Sequence, residues 1–135
     1  MIDVNLNEFL SPNNMKQAIE AECIKSGQPV PATTGELLQC IYYSLALSYK
    51  LAIEDLQRIT GHSYTGINIV GGGCKDQFLN ELTAKATGLP VRAGPSEATI
   101  IGNLIAQMLS AGEFLTLKEA RSCVAESFEA SEYLP

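Results

Sequence analysis

Apolar positions follow a helical rhythm in the first part of the chain and a mixed rhythm after it. The opening segment, Asp3 to Leu10, shows no clear element. Ser11-Pro12 reads as a helix opening, with serine as N-cap and proline at the first helical position. That helix should run to about Ser26 and stop at Gly27, with Met15, Ile19 and Cys23 on its buried face. Pro29 and Pro31 keep the next few residues out of a helix. Thr33 and Glu36 have the spacing of a capping box. Beyond them Leu38, Ile41, Leu45, Ala52, Leu56 and Ile59 recur at helical steps, as one face of a long helix that Gly61 ends. Tyr42 and Tyr49 read as packing residues at its margin.

The rhythm then changes. Ile67, Ile69 and Val70 form a short β-type run that stops at Gly71-Gly72-Gly73. An amphipathic helix follows, with Phe78, Leu79, Leu82 and Ala86 on one face, and Gly88 and Pro90 close it. Leu89 to Ala93 reads as a second strand, and Gly94-Pro95-Ser96 as a turn whose serine caps the next helix. That helix, Glu97 to Ala111, should turn Ile101, Leu104, Ile105 and Met108 inward. After Gly112, Thr116 and Glu119 form another capping box for a last helix to about Ser127, and residues 128–135 are expected to fray. The order is helix, helix, strand, helix, strand, helix, helix. It predicts a helix-rich α/β fold built on one parallel βαβ unit. Two strands are too few for an independent sheet, so the sheet should continue in further sequence or a partner chain. An apolar surface left bare there is expected to drive self-association.

The strand–glycine–helix corner carries the chemistry. Glycines there let main chain approach a large group with no Cβ in the way. The first N–H groups of the following helix would point to the same place. A nucleotide suits such a corner, and so does a plain tight turn or a close helix–strand contact. The spacing is neither G-x-G-x-x-G nor G-x-x-x-x-G-K-[ST], and Lys75 has no Ser or Thr beside it to hold magnesium.

Composition narrows the classes. The chain has 135 residues, 46 % of them hydrophobic, which suffices for one domain with a core. A net charge of −6 argues against nucleic acid. No apolar run approaches a bilayer-spanning length, and MIDVNLNEF lacks the regions of a signal peptide, so a soluble cytoplasmic protein away from membranes is expected. Cys23, Cys40, Cys74 and Cys123 form no C-x-x-C pair, and His62 completes no metal site. Free thiols are the default, with a Cys23–Cys40 bridge left open. Cys74 would sit at the helix start, where a thiol pKa falls, but no base accompanies it.

Three stretches carry a resemblance: PVPATTGELLQCIYYSLALSY (29–49), INIVGGGCKDQFLNELTAKATGLPVRAGP (67–95) and EATIIGNLIAQMLSAGE (97–113). They resemble the C-terminal part of an FGGY-family carbohydrate kinase. VGGGC together with AGP-x-EAT-x-x-GN is more particular to the branch acting on L-rhamnulose. The resemblance implies a partial RNase H-like domain of the actin-like ATPase fold. Residues 1–135 would be the last portion of its second, nucleotide-holding domain. It implies ATP with Mg2+, a ketose (L-rhamnulose) phosphorylated at its 1-hydroxyl, and an N-terminal domain as partner. Gly72 would be the backbone contact to the nucleotide, with Gly71 and Gly73 allowing the approach. Asp76 would stand near the nucleotide, Gly102 would permit tight helix packing beneath it, and Glu97 and Asn103 would cap or brace. The family's catalytic aspartate and sugar-binding residues match nothing here, so the isolated chain is expected to be inactive. A non-catalytic nucleotide-binding module and an all-helical interaction domain are the alternatives.

Overall fold

Residues 1–63 and residues 64–135 form two units in a computed structural model that describes residues 1–135. In the first unit, α1 covers Met15–Lys25 and α2 covers Thr34–Thr60. The start of α1 lies beyond the predicted Ser11-Pro12. Asn14 is the N-cap, and its side-chain oxygen accepts from the Gln17 N–H at 3.2 Å. Ile19 and Cys23 are buried with Ile2, and Phe9, Leu37, Cys40 and Ile41 pack around them. Met15 is exposed instead, at the first helical residue. All four cysteines are free thiols. Burial pushes the Cys23 thiol up, and the neighbouring Cys40 adds to it.

The capping box of α2 forms as its sequence requires. The Thr33 hydroxyl accepts from the Glu36 N–H, and the Glu36 carboxylate accepts from the N–H groups of Thr33 and Ala32. Those donors favour the charged form and hold the Glu36 carboxyl below its ordinary value. Thr33→Ala is expected to cost about 1 kcal/mol, read as a lower urea midpoint of the helical signal. The depressed folded-state pKa sets the sign of the pH effect. The carboxylate's contribution is complete above the unfolded pKa and disappears as pH falls through the folded one. Wild type and Glu36→Gln should therefore converge in acid.

The inward face of α2 differs from the predicted stripe. Ser44 and Ala46 are its buried residues. The Ser44 hydroxyl accepts from the Ile2 N–H at 3.0 Å, and Asn5 reaches Ser48 at 3.1 Å. Leu38, Leu56 and Ile59 are exposed, Ile59 by 76 %. Apolar residues surround this helix, so periodicity alone could not select the side on which the N-terminal segment docks.

In the second unit, β1 (Ile67–Ile69) pairs in parallel with β2 (Val91–Ala93), in the register Ile67↔Val91 and Ile69↔Ala93. The expected βαβ unit is present, with α3 (Gln77–Thr87) as its crossover packed on β2. The stretch expected to fray carries a third strand instead. β3 (Ser131–Tyr133) lies antiparallel along β2, giving the order β1-β2-β3. Its three residues pair only through contacts distant in sequence, which local pattern does not announce. The sheet removes the all-helical reading.

The α3 helix buries Asn80, Leu82, Thr83 and Ala84, while Phe78, placed inward by periodicity, is exposed. The α4 helix spans Ala98–Ala111 and buries Ile101, but Leu104 is exposed. Glu97, not Ser96, occupies its N-cap position, and no side chain caps it. The α5 helix, Leu117–Ser127, is capped by Thr116, whose hydroxyl accepts from Glu119 N–H. The Glu119 carboxylate reaches the Leu115 N–H, one residue outside the expected box. No helix is long and apolar enough to cross a membrane.

Candidate functional site

Parallel β1 and β2 deliver two turns to the same sheet edge, Gly71–Gly73 after β1 and Gly94-Pro95 after β2. The turns are tied together. The Gly94 N–H donates to the Ile69 carbonyl at 2.8 Å, and the Gly71 N–H donates to the Pro95 carbonyl at 3.2 Å. Ligands of open α/β sheets gather beyond the carboxyl ends of parallel strands, where this edge lies.

Each glycine at the first turn has a different reason. Gly71 has φ +77° and ψ −163°, a region open essentially to glycine alone. Gly72 has no such demand, and a Cβ built on it meets nothing within 4 Å. At Gly73 a Cβ would reach only the Ile69 Cγ2, at an ordinary 4.0 Å. Neither backbone strain nor internal packing calls for glycine at 72 or 73. The main chain there is bare toward the outside, as close approach of another group would require.

Beyond the glycines the structure departs from the simple corner. A 3-10 turn, Gly72–Lys75, intervenes before α3. Asp76 is the N-cap of α3, and its carboxylate accepts from the Leu79 N–H at 3.0 Å. The α3 terminus is thus already capped by a negative group, which disfavours a phosphate at that spot. Asp76 has a structural task within this chain. Cys74 lies in the 3-10 turn, not at a helix start.

Asn80 is the residue that motif reading missed. It is fully buried, and its Nδ2 donates to the Cys74 carbonyl at 2.9 Å. The available signal was a pair of polar residues, Asn80 and Thr83, three apart on the flank of an apolar helix face. The third stretch behaves differently from expectation. A Cβ on Gly102 meets nothing within 4 Å, so no tight packing explains it inside this unit. Asn103 braces α4 by donating to the Thr99 carbonyl at 3.0 Å. No three His, Cys, Asp or Glu side chains converge to hold a metal ion. The Asp76 carboxylate at the corner is taken up in capping α3.

Residues 1–111 match the C-terminal domain model of the FGGY family of carbohydrate kinases. The chain is 45 % identical over 134 residues to a rhamnulokinase of Bacillus subtilis, covering 98 % of this chain and 28 % of that protein. A rhamnulokinase of Halalkalibacterium halodurans is 41 % identical over 133 residues, with the same two coverages of 98 % and 28 %. One of Enterococcus faecalis is 42 % identical over 134 residues, covering 98 % of this chain and 27 % of its own. The chain therefore spans little more than a quarter of the length of these relatives. With the parallel βαβ unit and the bare glycine corner at its strand ends, it belongs to the FGGY family of carbohydrate kinases, in the region of their C-terminal domain.

Proposed function

We propose that residues 64–135 form one wall of an ATP site in a kinase that phosphorylates L-rhamnulose at its 1-hydroxyl. One observation carries the reading: at Gly72 neither backbone conformation nor packing calls for glycine, yet the main chain is bare at the carboxyl end of a parallel strand. Gly72 would lie against the nucleotide, Gly71 would set the turn that presents it, and Gly73 would keep the flank clear. Asp76 acts behind them as the cap of α3. The sugar assignment is supported by the names of the relatives, all rhamnulokinases at 41 to 45 % identity.

Phosphoryl transfer requires a base for the attacking hydroxyl and donors on the far side of the phosphates. Nothing at this corner fills those roles, so a further domain of the kinase would supply both. That domain would also cover apolar side chains now exposed, such as Ile100 and Leu104 on α4.

The test is a fusion. Residues 1–135 replace the matching segment of the Bacillus subtilis rhamnulokinase, and ATP-dependent phosphorylation of L-rhamnulose is assayed. The hybrid should be active. The 135-residue chain alone should be inactive and bind ATP more weakly than micromolar by calorimetry. A folded hybrid without activity, or sub-micromolar ATP affinity in the isolated chain, would refute the proposal.

A further inference from the structure

We infer that Asn80 is a positioning residue of the glycine corner: it holds the turn after the glycines in the shape that turns bare Gly72 main chain toward the ligand. The inference rests on the nucleotide reading of that corner. Asn80 has no exposed surface. Its Nδ2 donates to the Cys74 carbonyl at 2.9 Å, and its own N–H donates to the Asp76 carbonyl at 3.0 Å. One buried residue therefore links the first turn of α3 back to the 3-10 turn. The opposite amide orientation would face two carbonyl oxygens at each other, so the hydrogen bond itself fixes the side chain.

The other half of the amide is costly. Asn80 Oδ1 is buried and has no hydrogen-bond partner, the one buried side-chain polar atom in that condition. Such atoms are rare and call for a reason. Leucine has the same branched shape, with methyls bulkier than the amide atoms, and would remove the orphaned acceptor at some cost in packing. For stability alone the exchange is close to neutral, because one unpaired acceptor, Oδ1, is traded for another, the half-buried Cys74 carbonyl. Leucine cannot supply the donor to Cys74. Asparagine here thus serves the geometry of the turn rather than the stability of the helix–sheet contact.

The restraint completes a frame. Gly71 is anchored to the Pro95 carbonyl on the upstream side, and Cys74 is anchored to Asn80 on the downstream side. Gly72 lies between these anchors with no side chain near its own Cβ position. Loosening one anchor leaves the glycine path intact but lets it fluctuate.

Asn80→Leu and the isosteric Asn80→Asp, which turns an acceptor toward the Cys74 carbonyl, test this in the hybrid kinase and in the 135-residue chain. Both should raise KM for ATP by about tenfold or more, because a small misplacement of a binding group is amplified in this way. KM for the sugar should stay within about twofold, since the sugar is held elsewhere. Asn80→Leu should melt close to the wild-type temperature, a combination that a merely structural asparagine would not produce. In the isolated chain, amide exchange at Cys74, Lys75 and Asp76 should accelerate by about tenfold or more in both variants, while Val91 to Ala93 stays protected. Unchanged turn exchange would overturn the positioning role. Faster exchange with unchanged KM for ATP would overturn its link to the ligand. Failure of the nucleotide reading itself would show separately, as indifference of KM for ATP to a bulky side chain at Gly72.

Discussion

Gly72→Val is expected to raise KM for ATP about a hundredfold, near 2.7 kcal/mol, in the hybrid kinase, because a displacement of about 1 Å at a reacting group costs that much. The melting temperature should barely move. Both halves follow from the same geometry. Gly72 lacks a left-handed φ, and a Cβ there meets nothing within 4 Å, so the chain itself accepts a side chain. The valine methyls would instead fill the space outside the turn, where the nucleotide is proposed to lie. On the helix propensity scale valine is no worse than glycine, so the short 3-10 turn does not itself oppose the change. KM for the sugar should be unaffected. If KM for ATP proves indifferent to valine, the corner does not abut the nucleotide and the functional reading fails.

Much of this corner was legible in sequence because its signals are local. Glycines 71–73 announced a turn, the β-type run before them announced a strand, and Gly88 with Pro90 ended the helix where α3 ends. The parallel pairing of β1 and β2 followed from one intervening helix. The misses share a physical cause. β3 exists only by pairing with a strand about forty residues earlier in sequence, and of its residues only Tyr133, not Ser131 or Glu132, favours a strand. The buried face of α2 depends on where the N-terminal segment lands, which Ile2 and Ser44 decide. At the site, glycine spacing indicated bare backbone but not the 3-10 turn that separates it from α3. Beyond that turn Asp76 caps the helix, a task its place in the motif did not reveal. Asn80 was invisible as a motif because its role is a hydrogen bond to main chain six residues away.

The second large effect concerns the other turn. Gly94→Ala is expected to destabilise residues 64–135 by about 3 kcal/mol, from strained backbone of 1–3 kcal/mol together with a steric clash. Gly94 has φ +128°, a conformation that L-residues rarely adopt. A Cβ there would stand 3.0 Å from the Glu129 carbonyl oxygen and 3.3 Å from the Ala130 Cα. Both are main-chain atoms, so no rotamer change relieves them. The chain must either move Glu129 and Ala130 away or shift Gly94 off the Ile69 carbonyl that its N–H donates to. The first route detaches β3, which begins at Ser131. Amide exchange at Ser131 to Tyr133 should then accelerate well before that at Ile67 to Ile69. The second route pulls Pro95 away from the Gly71 N–H and disturbs the glycine corner. Either way, thermal stability falls, and by the second route KM for ATP rises with it. Gly72→Val separates these two quantities because its side chain faces outward only. A Gly94→Ala protein that melts like wild type, with β3 fully protected, would show that the contact between this turn and residues 129–130 is not tight.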